Sequence, residues 1–160
     1  MTELNALYSD RILELAAMIP PARRLEHPDA SASAHSKLCG STITVDLALD
    51  GDRITDYAQT VKACLLGQAA ASIVAANIIG TSTEEVRRVA GEMRRMLKEN
   101  GPPPGGKWSD LAILEPVREV KGRHASTLLA FEAILRALDA REAGVGKGGG
   151  DTAVASPAGA

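Results

Sequence analysis

The sequence predicts an α+β fold: a small antiparallel sheet packed on one face by helices. Three observations predict it. Residues 41–49 alternate, with Ile43, Val45, Leu47 and Leu49 pointing one way and Thr42, Thr44 and Asp46 the other, the period of a half-buried strand. Asp50-Gly51-Asp52 follows as a hairpin turn signal, so Arg53–Lys62 reads as the returning strand. The remaining apolar segments recur at helical steps or are apolar all round. Only 2% of the residues are aromatic against 45% hydrophobic, so the core must be Ala, Ile, Leu and Val, which suits close helix packing.

The elements follow in order. Leu4, Leu7, Tyr8, Ile12, Leu15 and Ile19 form an apolar stripe that predicts a helix over 4–19, ended by Pro20-Pro21. Residues 22–37 are small and polar and read as a linker with irregular or short extended pieces. In the returning strand Ile54, Tyr57 and Val61 are the packing candidates, and the imperfect alternation suggests a bulge near Ala58. Leu65–Ile79 predicts a buried helix stopped by Gly80. Ser82 and Glu85 stand at capping-box spacing before a helix over Thr83–Glu99. Its basic residues, with Glu84 placed to pair with Arg88, read as a solvated face. Asn100–Lys107 is a Gly/Pro-rich loop; Trp108–Leu114 reads as a short helix capped by Ser109 and broken at Glu115-Pro116. The last long helix spans His124 to about Ala143, with Leu128, Leu129, Phe131, Ile134, Leu135 and Leu138 as its apolar content. One domain over 1–143 is expected, followed by a disordered Gly/Ala-rich tail, 144–160.

Composition excludes several classes. A formal net charge of -2 gives no pull toward nucleic acid or an anionic membrane surface. No apolar run approaches the roughly 18 residues of a membrane span, and no secretion signal is legible at the N-terminus. A cytoplasmic location is the default, where two cysteines are metal-binding, reduced or inert rather than a structural disulfide.

The chemistry rests on those two cysteines. Cys64 stands at a strand-to-helix junction, where unpaired backbone N–H groups and the helix dipole favour the thiolate, the form that binds metal or attacks sulfur. Cys39 precedes Gly40 at the outer end of the preceding strand, so a hairpin brings the two toward each other. The competing reading is a pair of inert buried cysteines. His124 and His35 are the imidazoles placed to add a ligand; His27 reads as surface. Ser126 reads first as a helix cap.

These residues resemble the iron–sulfur scaffold proteins of the IscU/NifU N-terminal type, and the SufU branch most. The matching pieces are Leu7-Tyr8 with Ile12-Leu13, Cys39-Gly40, Asp50-Gly51-Asp52 with Ile54 and Asp56, Cys64 before an Ala/Ser-rich helix, and Thr127-Leu128-Leu129-Ala130-Phe131. Cys39 and Cys64 lie 25 positions apart, and Cys64 and Ser126 lie 62 apart, the long second interval of the SufU branch. Arg123 matches an arginine of that branch's final motif. The resemblance implies the SufE/NifU-like fold, a non-enzymatic scaffold role, iron or an Fe–S cluster as cargo with zinc as an alternative, and partners that include a cysteine desulfurase, Fe–S client proteins and a second copy of the chain. It implies Cys39, Cys64 and His124 as metal ligands and Cys39 as a sulfur acceptor.

Two of the family's four ligand positions differ here. Ser41 replaces an aspartate and Ser126 replaces the third cysteine. A neutral hydroxyl is a poor ligand for zinc or iron, and two cysteines do not close a tetrahedral site. Three readings therefore follow: metal or cluster binding completed from elsewhere, sulfur transfer without stable metal, and an interaction module that kept the fold but lost the ligand set.

Overall fold

The computed structural model describes residues 9–144. The expected tail from 145 onward lies outside them, as do Leu4, Leu7 and Tyr8 of the first apolar stripe. Helix α1 spans Asp10–Ala17, with the Ser9 hydroxyl accepting from Ile12 N as its cap. Its Ile12 and Leu15 are buried, as the stripe requires.

The sheet has three antiparallel strands in the order β1-β2-β3: Ala30–His35, Thr42–Asp50 and Arg53–Lys62. Strand β1 corrects the reading of 22–37 as a linker. Its sequence, Ala30-Ser31-Ala32-Ser33-Ala34, alternates, but between residues too small to register as apolar and polar faces. Ala30, Ala32 and Ala34 are all buried, and the last helix lies against this strand, where methyl side chains allow close approach.

Two further readings of the hairpin are corrected. Asp46, expected on the outer, solvated face, is fully buried. It accepts bonds from Arg24 Nε (2.7 Å) and Nη2 (3.0 Å), Leu25 N (3.0 Å) and Ser31 Oγ (2.6 Å), so the segment before β1 folds over this carboxylate. The bulge expected near Ala58 lies earlier. Ala48 stands opposite Asp56 and Leu49 opposite Ile54, so the extra residue is Thr55. Gly51, with φ 64°, supplies the left-handed position of the turn.

Helices α2 (Leu65–Asn77) and α3 (Thr83–Lys98) follow, then a run of 3-10 turns over Gly106–Glu119 and Lys121–Arg123, and α4 (His124–Glu142). Ser82 caps α3 by accepting from Glu85 N at 3.1 Å, but the Glu85 carboxylate does not return to Ser82. It accepts from Trp108 Nε1 at 2.9 Å and ties α3 to the 3-10 segment. Arg88 pairs with Glu92 and not with Glu84, while Arg87 reaches across to Asp139 and Glu142 of α4.

The 3-10 run corrects the expected short helix broken at Pro116. Trp108, Leu111, Leu114 and Val117 are all buried and recur every three residues. Three residues per turn is the 3-10 period, so this spacing aligns all four on one edge where an α-helix would spread them. The buried row holds the segment together through Pro116. Among the described residues, no helix is long and apolar enough to cross a membrane.

Candidate functional site

Sheet register collects the site at one end. Thr42 pairs with His35 on one side and Lys62 on the other, so the β1–β2 loop and the β3–α2 junction leave the sheet together. The loop closes on itself: Ser36 N donates to Ser41 O and Gly40 N to Ser36 O, each at 2.8 Å. Gly40 has φ 73°, the left-handed conformation that only glycine adopts freely. This loop carries Cys39. Cys64 is the N-cap residue of α2 without donating or accepting a side-chain cap bond.

Both cysteines are free and half-buried, and serine hydroxyls surround them. Cys39 Sγ lies 2.9 Å from Ser41 Oγ and 3.5 Å from Ser36 Oγ, and both serines are buried. Cys64 Sγ donates to Ser126 Oγ at 3.4 Å, and Ser126 Oγ donates to Arg123 O at 3.2 Å. Hydrogen bonds with Ser36 and then Ser41 pull the Cys39 thiol down to about 7 against the upward push of burial, with the Ser41 backbone and the Ser126 hydroxyl adding to the effect.

This lowered thiol has a kinetic signature. The rate of Cys39 alkylation by iodoacetamide is expected to rise with a midpoint near pH 7, where an ordinary cysteine titrates at about 8.5. Ser36→Ala is expected to move the midpoint upward. Peptide mapping after timed alkylation across pH separates Cys39 from Cys64. A wild-type midpoint in the ordinary range would remove the serine hydroxyls as its cause.

The approach of α2 to the head of α4 depends on Gly67. A Cβ there would come within 2.8 Å of Ala63 Cβ and 3.1 Å of the Ser126 carbonyl oxygen. Gly67→Ala would gain about 1 kcal/mol of helix propensity, but crowding a packed interface costs about 1–3 kcal/mol. The expected result is a net loss of stability together with faster alkylation of Cys64, because α2 must back away from Ser126. Thermal unfolding and thiol mapping check it; a more stable variant with unchanged Cys64 reactivity would contradict this account of the contact.

The remaining sequence-predicted residues are placed differently. His124 is buried, and its Nε2 lies 3.1 Å from Val117 O and 3.2 Å from Arg118 O. Two carbonyl acceptors require Nε2–H, so the imidazole staples the 3-10 run to α4. Among the described residues no group of three His, Cys, Asp or Glu side chains stands together as a metal site, so neither His124 nor His35 joins the two thiols. Ser126 is not the N-cap of α4; Arg123 holds that position, and Ser126 lies inside the first turn. Ser41 stands on the Cys39 sulfur. Sequence reasoning missed Ser36 and Gly67. The signal for Ser36 was its place three residues before Cys39 in a loop closed by glycine. A lone glycine in a helix of small residues gave Gly67 no such mark.

An α+β domain with a thiol pair at one sheet end, covered by the head of its last helix, defines a class that the comparisons make specific. No family model matches the chain. The crystal structure of a nitrogen-fixing NifU-like protein (N-terminal) from Brucella abortus superposes with a TM-score of 0.86 at 48% identity, covering 88% of this chain and 98% of that one. The iron–sulfur cluster assembly scaffold protein IscU of Thermotoga maritima is 25% identical over 133 residues, 82% of this chain and 92% of that protein. At the level of fold alone, a crystal structure from Fervidobacterium islandicum, described as a candidate scaffold for the SUF system, gives a TM-score of 0.77 at 19% identity, covering 84% of this chain and 98% of that one. The chain belongs to the IscU/NifU-like family of iron–sulfur cluster assembly scaffolds.

Proposed function

We propose that this protein holds iron or a nascent Fe–S cluster, as cargo, through the thiolates of Cys39 and Cys64. The observation that carries this reading is the sheet register, which sends the Cys39 loop and the Cys64 helix cap out of the same sheet end, where Ser126 of the last helix accepts from Cys64. Two thiolates are half of a tetrahedral set, and no third ligand of the same chain stands beside them among the described residues. The other half would come from a second copy of the chain, whose own pair makes four thiolates, enough for a [2Fe–2S] cluster, or from an exogenous thiol. Zinc is the alternative occupant of the same ligands. Cys39 is also the proposed acceptor of sulfur from a cysteine desulfurase, because its lowered thiol is the better-populated nucleophile near neutral pH. Cluster-receiving client proteins and the cytoplasm complete this reading.

Anaerobic reconstitution with iron and sulfide tests the cargo role. Cluster absorbance that is lost in Cys39→Ser and Cys64→Ser, with a dimer on loading, is the expected result. No absorbance in the wild-type chain and no zinc retained on purification would favour the second reading, a metal-free interaction module, for which Ser41 and Ser126 in place of the family's ligands speak.

A further inference from the structure

We propose that the groove between α3 and α4 docks an acidic amphipathic helix of a partner protein. This goes beyond the cargo reading and stands whether or not the thiols hold metal. Arg87, near the start of α3, pairs with Asp139 and Glu142 at the end of α4, so the two helices run antiparallel. Between them lies a groove of about 260 Å³, lined by Ala90, Ala125, Leu128, Phe131 and Leu135. Phe131 and Ala90 are buried, while Leu128 and Leu135 are half-buried and keep apolar surface in contact with water. Ala125, at one end, is exposed and directly precedes Ser126, which accepts from Cys64.

Charge on the rim selects the occupant. Arg94 and Lys98 line the groove from α3, one turn apart, and both are exposed. Neither forms an ion pair among the described residues, in contrast to Arg87 and Arg88 of the same helix. The acid on the α4 side, Glu132, is already held by Arg136 at 3.3 Å. An apolar floor with two unpaired cations along one edge is complementary to an apolar face flanked by carboxylates. Shape and backbone chemistry select the conformation. From Ala125 to Leu135 the α4 wall is about 15 Å long at about 1.5 Å per residue, room for about three turns of a third helix. Ala90, Leu128, Phe131 and Leu135 lie inside helices, so their backbone groups are already bonded and offer nothing to an extended guest. A helix satisfies its own backbone and presents side chains alone. The partner helix would therefore carry apolar residues at i, i+3 or i+4 and i+7, and two acids one turn apart on the flank that meets Arg94 and Lys98.

The test titrates the full metal-free chain into two fluorescein-labelled synthetic helices and follows their anisotropy. Both probes carry one leucine stripe; one has two glutamates a turn apart on its flank, and the other has lysines there. The glutamate helix is expected to bind about tenfold more tightly than its lysine twin, since two exposed attractions become two repulsions. High salt should shrink that difference. Arg94→Glu together with Lys98→Glu, both exposed and so tolerated by the fold, is expected to reverse the preference. Leu128→Gln is expected to weaken both probes, with thermal melting to check that the variant is folded. No binding of the glutamate helix, equal binding of the two probes, or unchanged binding by folded Leu128→Gln would overturn the proposal. A metal-free wild-type chain that sediments as a dimer, and as a monomer once positions 94 and 98 are reversed in charge, would overturn it as well, because a second copy would then fill the groove.

Discussion

Asp46→Ala is expected to destabilise the protein by about 3 kcal/mol, because a lost acceptor leaves each partly buried donor with an unmet desolvation cost of about 1–3 kcal/mol. For a domain of this size that lowers the melting temperature by about 8 °C. The carboxylate accepts four hydrogen bonds from three residues, and its side chain is 0% exposed. Removing it strands Leu25 N–H and Ser31 Oγ; Arg24, at 60% exposure, turns out to water and adds little. Asp46→Asn keeps the shape and one acceptor and is expected to lose about half as much. The pH dependence follows from the same contacts. Burial alone would raise this carboxyl, but the bonds from Arg24, Ser31 and Leu25, with the Arg24 charge, outweigh it and hold it below the usual carboxylate range. A depressed folded value stabilises the native state fully above the unfolded value near 4, and that contribution fades as pH falls through the lower folded value. Urea denaturation from neutral pH downward should therefore show the gap between wild type and Asp46→Asn closing in acid. A constant gap at every pH would mean that the carboxylate charge is not what Arg24 and Leu25 recognise.

Asp46 also marks where the sequence stops being legible. Alternation finds β2 and β3 because large apolar residues contrast with polar ones along them. It fails for Asp46, since the solvated face of a two-stranded ribbon becomes buried once the segment carrying Arg24 and Leu25 crosses it. It fails for β1 because alanine and serine differ too little to form a pattern, although the alanines are what let α4 sit close. The three-residue spacing from Trp108 to Val117 was present in the sequence, but Pro116 reads as a breaker only if an α-helix is assumed. At the site, the hairpin brings the cysteine-bearing segments to one sheet end by register alone. The hydroxyls on the two sulfurs come from a loop closure at Cys39 and, at Cys64, from a helix 62 positions further on, and no local pattern encodes such contacts. His124 shows the converse: its position near the helix head suggested a ligand, but burial gave its Nε2 to two backbone carbonyls.

Ser126→Cys is expected to convert this weak half-site into a zinc site, with affinity rising about a hundredfold. Structural zinc sites release about 10–16 kcal/mol over four ligands, or about 3 kcal/mol for each, and about 1.4 kcal/mol is a factor of ten. The new thiolate would stand where the Ser126 hydroxyl now meets Cys64 Sγ at 3.4 Å, at the sheet end from which the Cys39 loop also leaves. The apo protein should lose stability at the same time. Position 126 is 1% exposed, the larger sulfur crowds it at about 1 kcal/mol or more, and the bond from Ser126 Oγ to Arg123 O is weakened. Zinc therefore has opposite consequences in two measurements: without it the variant melts below wild type, and with it above, because only the folded state presents the converged thiolates. Ser41→Asp, beside Cys39 Sγ at 2.9 Å, should strengthen binding further in the double variant by adding an anionic oxygen. Competition against a chromophoric chelator reads the affinity directly. If Ser126→Cys binds zinc no more tightly than wild type, Cys39 and Cys64 do not face the head of α4 closely enough to share an ion, and a two-thiolate cargo site in this chain loses its geometric basis.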